Sequence, residues 1–476
     1  MAVVKSSVFY VAAEIFKKCL GFAILPILTR LLTPLEYGVI GTLMACRGLL
    51  SQAMPLGMTV ALHRLYFSYE SASSELKHFL TSNLLFTILT GATICLVIDR
   101  LALTGTANLL FADPAYEPHV RITVWTVYLG LPFAILLPLL ASEQRSIAVS
   151  VLDTSRFIVE NGCIILFIGA FSWGIMGYLT GQLLVAGVFM AISAVVFIRD
   201  FGTLGYQTHH VKTALRFGLP LLPAMILGWV LSLSDRVIMA QYCSLNAIGL
   251  YSLAASLGTM VMLVLAAFER AWTPWFYHSM RSNSREFRQL FSDLALAWLA
   301  IVGFGCVGGC LFSRELLSLV VDDSFIEAFR FIPPLMIGAF LVSIYGFATV
   351  FLYHEQRTKV FTWVLTVAAV VNVGLNLLLV PVFGPMAAAY TTMVAYIVTT
   401  ILYFYVSRIH KRLVVHQVRT MVLLSATVLL SLSPAIVESA IVRVQLLLAF
   451  TGGAYFCLGK ATIIRWPELW KQIRTA

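Results

Sequence analysis

Long apolar runs alternate with short polar turns from one end of the chain to the other. Fourteen runs approach or exceed the ~20 residues that a membrane-crossing helix needs. They fall at 7–32, 37–62, 78–98, 119–141, 147–170, 174–198, 217–240, 247–272, 290–312, 330–353, 358–380, 384–406, 419–437 and 442–464. The last two are short or polar-ended, and the seventh holds Pro220 and Pro223. Proline removes a backbone donor and bends a membrane helix. Gly21 with Pro26, and Pro55 with Gly57, read equally as hinges or as fixed curvature.

Composition narrows the class. Hydrophobic residues make up 60% of the chain, charged residues 11%, and the mean hydropathy is +0.91. A soluble domain carries ~25% charged residues. The sequence therefore describes an all-α polytopic membrane protein. The first run is broken by Glu14, Lys17 and Lys18 and lacks a small-residue cleavage site, so it reads as a retained helix and not a signal peptide.

The formal net charge of +10 invites a nucleic-acid reading, but the distribution opposes it. Most basic residues, among them Arg64, Lys77, Arg145, Arg199, Lys212, Arg216, Arg357 and Lys411, fall on one side of the predicted spans. The positive-inside rule makes that side cytoplasmic, and an even number of spans puts both termini there. The surplus charge also suits contact with anionic lipid headgroups. The eight cysteines are scattered without a CxxC, so no metal, disulfide framework or cofactor is expected.

A weak internal repeat sets the expected domains. Thr33–Pro–Leu–Glu–Tyr–Gly38 lies 211 residues before Ser244–Leu–Asn–Ala–Ile–Gly249, each between two long helices. A parallel repeat of six helices follows, with an axis along the membrane normal. The expectation is an amino-terminal lobe over 1–200, a second lobe over 201–410, two added helices over 411–476, and a central cleft.

Charges inside the membrane supply the candidate chemistry. The basic set is Lys17, Lys18, Arg47, Arg156, Arg236 and Arg270, and the acidic set is Glu14, Asp153, Glu160, Asp235, Glu269 and Asp293. Each costs ~2.5–3.5 kcal/mol at a helix centre on the lenient scale. Glu14 and Lys18 stand i,i+4 and are expected to pair; Asp153, Arg156 and Glu160 share one helical face. Lys17 and Arg47 then lack a partner in their own helices. Surplus positive charge at mid-depth suits an anionic headgroup, since Lys and Arg grip phosphate. The plainer reading is that all the charges pair across helices and lock the bundle. Asp235, Arg236, Glu269 and Arg270 are secondary cavity or gate candidates, and Glu14, Asp153 and Glu160 are candidate ion carriers. Asn372 and Asn376 share a face and suit either sugar hydroxyls or interhelical hydrogen bonds. The acidic connector at Glu315, Asp322, Asp323 and Glu327 and the pair His209–His210 read as solvated loops. No phosphate-binding glycine loop, HExxH or nucleophile with nearby acid and base is present.

The run LPILTRLLTPLEYGVIGTLMA, after a charged first helix, resembles the amino-terminal signature of the Wzx-like polysaccharide and O-antigen flippases. These belong to the multidrug/oligosaccharidyl-lipid/polysaccharide exporter superfamily. SDRVIMAQYCSLNAIGLYSLAASLG resembles the same family's seventh and eighth helices. The resemblance implies fourteen helices in two lobes around a V-shaped cavity. It also implies flipping of a polyprenyl-diphosphate-linked oligosaccharide across the cytoplasmic membrane by alternating access, without enzymatic chemistry. Lys17, Lys18, Arg47 and Arg156 are the positions here that would meet the diphosphate. Membrane lipids, a polysaccharide polymerase and a chain-length regulator are the partners it implies. Rival readings are a peptidoglycan-precursor flippase, a small-molecule antiporter of the same superfamily, and a membrane-embedded glycosyltransferase or polymerase. Short loops argue against the last.

Overall fold

The protein is seen in a computed structural model that describes residues 2–70, 73–203, 205–280, 285–408, 417–435, 437 and 439–475. It is helical, with no strand among the described residues. Nine helical stretches among them are long and apolar enough to cross a membrane, or ten if the pair Pro34–Ala53 and Met58–Ser68 counts as one span. Ala2–Leu31, with Glu14, Lys17 and Lys18, and Ser146–Ile165, with Asp153, Arg156 and Glu160, are long helices outside that set. Two compact units are distinct, Met1–Gly249 and Leu250–Ala476.

In the first unit the helices that matter are α1 (Ala2–Leu31), α2 (Pro34–Ala53), α3 (Met58–Leu65), α4 (Ser74–Val97), α5 (Leu103–Phe111), α6 (Glu117–Ser142), α7 (Ser146–Ile165), α8 (Gly174–Phe201), α9 (Thr208–Gly218) and α10 (Leu222–Tyr242). The start of α2 is fixed locally. The Thr33 hydroxyl accepts from the Glu36 amide at 3.3 Å, the Glu36 carboxylate accepts from the Thr33 amide at 2.8 Å, and Pro34 is the first helical residue. The run predicted over 37–62 is not one helix. Leu56 and Gly57 have φ of 51° and 76°, and the chain bends by 44° there. Proline at position 55 withholds an amide, and Gly57 takes the left-handed turn without a Cβ penalty.

The two repeated turns touch one another. A Cβ on Gly38 would stand 1.8 Å from the Leu245 carbonyl oxygen, and one on Gly249 would stand 1.8 Å from the Pro34 carbonyl oxygen. The contact is reciprocal, because Pro34 and Leu245 are themselves 211 positions apart. Only glycine admits so close a backbone approach. Further along, the Trp229 indole N–H donates to the Ala45 carbonyl at 2.8 Å, with Gly48 beneath the ring. These contacts seat α10 along α2.

The stretch 199–216, expected as a loop, contains α9. Its buried face is His210, Val211, Ala214 and Gly218, packed against α3 and α4. His210 is 1% exposed and its ring contacts the Tyr69 hydroxyl at 3.4 Å, so it is a core residue and not a solvated one. The helical spacing of those four positions outweighed the polar Thr208–His209 start.

The second unit is built on α11 (Leu245–Met280, which begins in the first unit), α12 (Arg285–Leu311), α13 (Ser313–Val320), α14 (Ile332–His354), α15 (Thr358–Phe383) and α16 (Pro385–Ser407), followed by helices Gln417–Leu432 and Ala440–Thr475. Its core is aromatic: Trp272, Phe276, Phe291, Phe347 and Phe351 interlock, and Phe268 stacks on Trp298 with centroids 3.6 Å apart. The last helix is tied down by Arg443, which donates to the Leu311 carbonyl at 3.2 Å and to Glu315 at 2.7 Å. One of the four acidic connector residues is therefore a packing partner.

A second repeated turn escaped the sequence reading. Glu143–Gln144–Arg145 joins α6 to α7, and Glu355–Gln356–Arg357, 212 positions on, joins α14 to α15. Both glutamines have positive φ, 58° and 55°, and both arginine amides donate to a helix carbonyl five residues back at 3.0 Å. The identical tripeptide was the available signal.

Candidate functional site

Six of the intramembrane charges meet on α1, α2 and α7, within the first unit. Lys17 lies 14 residues from the Leu31 end of α1, or ~21 Å, and Arg47 lies 13 from the Pro34 end of α2, or ~20 Å. Arg156 and Glu160 lie 14 and 10 residues before Ala170, where the helix ends after a π turn, or ~21 and ~15 Å. These ends share one face of the unit, since a Cβ on Gly169 would touch Leu31 at 3.6 Å. The four side chains are therefore close to one depth, well inside the apolar length.

Their pairing differs from the expected one. Lys17, not Lys18, is the partner of Glu14, at 2.7 Å, and Lys17 also bonds Asp153 on α7. Positions i,i+3 and i,i+4 are both within reach on a helix, and Asp153 decides between them. It draws the Lys17 face of α1 onto α7, while Lys18 on the adjacent face is exposed. Arg47 is paired too: its Nη1 is 3.4 Å from Glu160 Oε1. Arg156 Nε approaches Glu160 Oε2 at 3.7 Å, and its guanidinium lies over the Phe133 ring of α6, 4.7 Å from the centroid.

The six charges cancel: Glu14, Asp153 and Glu160 against Lys17, Arg47 and Arg156. They are divided unevenly. Two carboxylates hold one lysine in the first triad, and two guanidiniums share one carboxylate in the second. The arginine triad carries the local positive excess. Its side chains are 26%, 16% and 18% exposed for Arg47, Arg156 and Glu160, so all three are partly buried.

The other candidates lie elsewhere. Asp235 and Arg236 are buried on α10, bonded to one another at 3.1 Å, and Arg236 also donates to the Ser232 carbonyl at 3.2 Å. Glu269 belongs to the second unit and lies against Gly346 of α14; the side chain of Arg270 lies outside the described part of the structure. Asn372 and Asn376 are 1% and 0% exposed. Asn376 donates to Asn372 at 3.2 Å and accepts from Thr391 of α16 at 2.7 Å. Of the two uses expected for these amides, the Asn376–Thr391 bond is an interhelical hydrogen bond between α15 and α16. Among the described residues no group of three or more His, Cys, Asp or Glu side chains is placed to hold a metal ion.

Comparison with known proteins agrees with this architecture. The chain is similar in fold to a lipid II flippase, MurJ, in an inward closed conformation, with a TM-score of 0.72 and 14% identity over 97% of this chain and 99% of that one. It is also similar to an inward-facing multidrug resistance transporter of the MATE family, with a TM-score of 0.61 and 15% identity over 85% of this chain and 94% of that one. An uncharacterized membrane protein of Haemophilus influenzae (strain Rd) is 19% identical over 378 residues, 79% of this chain and 89% of that protein. The model of the family described as polysaccharide biosynthesis protein matches residues 3–280. That match spans more than half of the 476 residues, and with an all-helical, many-spanned fold around a charged intramembrane cluster, the chain belongs to the polysaccharide biosynthesis protein family.

Proposed function

We propose that this protein flips a polyprenyl-diphosphate-linked oligosaccharide, an O-antigen or exopolysaccharide repeat unit, across the cytoplasmic membrane by alternating access. The observation that carries the reading is the arginine triad: Arg47 and Arg156 converge at mid-depth on a single carboxylate. Two guanidiniums at one level suit a diphosphate, whose oxygens accept from both forks. The exposed Lys18 adds a further cation on α1. The lipid tail remains in the bilayer while the sugars occupy water. Export of two negative charges from a negative-inside cell gains ~2.3 kcal/mol per charge per 100 mV, so the membrane potential can drive the step. Glu14, Asp153 and Glu160 are the groups through which a proton or sodium ion would couple. The bias of basic residues to one set of loops supports a cytoplasmic side for both termini.

The test is a cell lacking the protein, complemented with wild type or with Arg47→Ala/Arg156→Ala. The wild type restores surface polysaccharide. The double variant inserts normally but leaves the completed lipid-linked unit in the extract and lowers surface polymer about 100-fold, taking ~1.5–3 kcal/mol for each charged hydrogen bond lost. Full restoration by the double variant sinks the headgroup assignment. Accumulation of a peptidoglycan precursor instead transfers the reading to that substrate. Normal surface polymer and no accumulation in the deletion, in a host without a redundant transporter, transfers it to a small-molecule antiporter.

A further inference from the structure

Resting on that reading, we infer that Glu160 is a built-in substitute for the ligand's phosphate: its carboxylate occupies the Arg47–Arg156 pair in the empty protein and is displaced when a diphosphate binds. The contrast between the two triads carries this. Lys17 is held at 2.7 Å by Glu14 and closely by Asp153, so two carboxylates already neutralise it. Glu160 stands 3.4 and 3.7 Å from its two arginines, beyond the ~2.7–2.9 Å of a tight charge-assisted bond. It offers two oxygens to two guanidiniums that between them carry ten N–H donors in fixed forks. A diphosphate brings more oxygens and more charge, and so outcompetes one carboxylate at that distance.

The geometry lets the exchange happen without a helix shift. Glu160 is one turn beyond Arg156 on α7, so a rotamer change carries its carboxylate off the pair while both backbones stay in place. Arg156 remains oriented by the Phe133 ring. The groups facing Glu160 are Arg47 on α2 and Arg156 on its own helix, with Tyr178 on α8 nearby. In the empty state Glu160 keeps two cations from standing unpaired inside the membrane, which would be costly. In the loaded state it is the anion that reclaims them and so promotes release. An occupied pair also lowers the apparent affinity by the fraction of time that it is free.

The experiment titrates purified full-length protein in lipid nanodiscs with farnesyl diphosphate. Wild type, Glu160→Gln, Glu160→Asp and Arg47→Ala/Arg156→Ala are compared. Glu160→Gln is expected to bind the probe about tenfold more tightly, because the competitor has lost its charge, and to dissociate more slowly. In cells it is expected to lower the export rate while the affinity rises, a split that a merely structural role would not give. Glu160→Asp, one methylene shorter, falls between wild type and Glu160→Gln and serves if the glutamine variant does not fold. Unchanged or weaker binding by Glu160→Gln, or by Glu160→Asp where only that variant folds, overturns the inference while leaving the proposed function intact, provided that the double arginine variant loses the probe. Binding by the double arginine variant at wild-type strength overturns the proposed headgroup site itself.

Discussion

The turns at Gln144 and Gln356 are the same structure, yet the helices that leave them carry opposite chemistry. Both turns use Glu-Gln-Arg, a left-handed glutamine and the same pair of backbone bonds. Carrying the 212-residue spacing forward puts Glu160 of α7 opposite Asn372 of α15. In the first copy that place holds a half-open carboxylate shared by two arginines. In the second it holds an amide that is 1% exposed, beside Asn376. The same turn thus recurs in both copies, while among these matched positions the charge lies in one copy and a buried amide in the other. Architecture and site are written in different residues.

Exchange of the two chemistries is the severest trial of that comparison. Asn372→Glu is expected to lower thermal stability in detergent by ~3–5 kcal/mol, since it leaves a carboxylate buried without a cation. Glu160→Asn is expected to lose less, because Arg47 and Arg156 are 26% and 16% exposed where position 372 is 1% exposed. Equal losses would break the distinction between an open and a sealed copy. Next in size is the reciprocal glycine contact. Gly38→Ala and Gly249→Ala should each cost ~1–3 kcal/mol by overpacking, and by similar amounts, as the two approaches are equally close. Melting curves that move for one variant alone would refute the symmetry of the contact. The smallest effect is at the turns: Gln144→Gly and Gln356→Gly are each expected to raise the melting temperature slightly. A left-handed non-glycine residue costs up to ~1–2 kcal/mol, part of which returns as chain entropy. A gain at one turn and a loss at the other would show that only one is strained.

Much of the fold was legible because lipid leaves a chain few options. Apolar length marked the helices, and the Thr33 and Ser244 turns marked the repeat. The charged site was legible residue by residue, since each charge interrupts an apolar run. Its wiring was not. Arg47 and Glu160 are 113 positions apart, and nothing local announces their approach. The choice of Lys17 over Lys18 is made by Asp153, a neighbour on another helix. The two asparagines share a helical face in the sequence, but burial against Thr391 depends on α16. The bend after Ala53 was half visible: Pro55 and Gly57 offered a hinge or a curve, and the left-handed backbone at Leu56 and Gly57 makes it a sharp break.

The Glu14–Lys17 pair bears on how the chain is made. Helices enter the membrane in order of synthesis, and α1 leaves the ribosome well over a hundred residues before Asp153 exists. A segment with two mid-length cations and no anion would have to wait for a distant partner or hold its charges in water. Glu14 sits one turn before Lys17 on the same helix, at 2.7 Å, so the newborn segment brings its own counter-ion into the bilayer. Glu14 is within reach of either lysine, and Asp153 later fixes the pairing on Lys17.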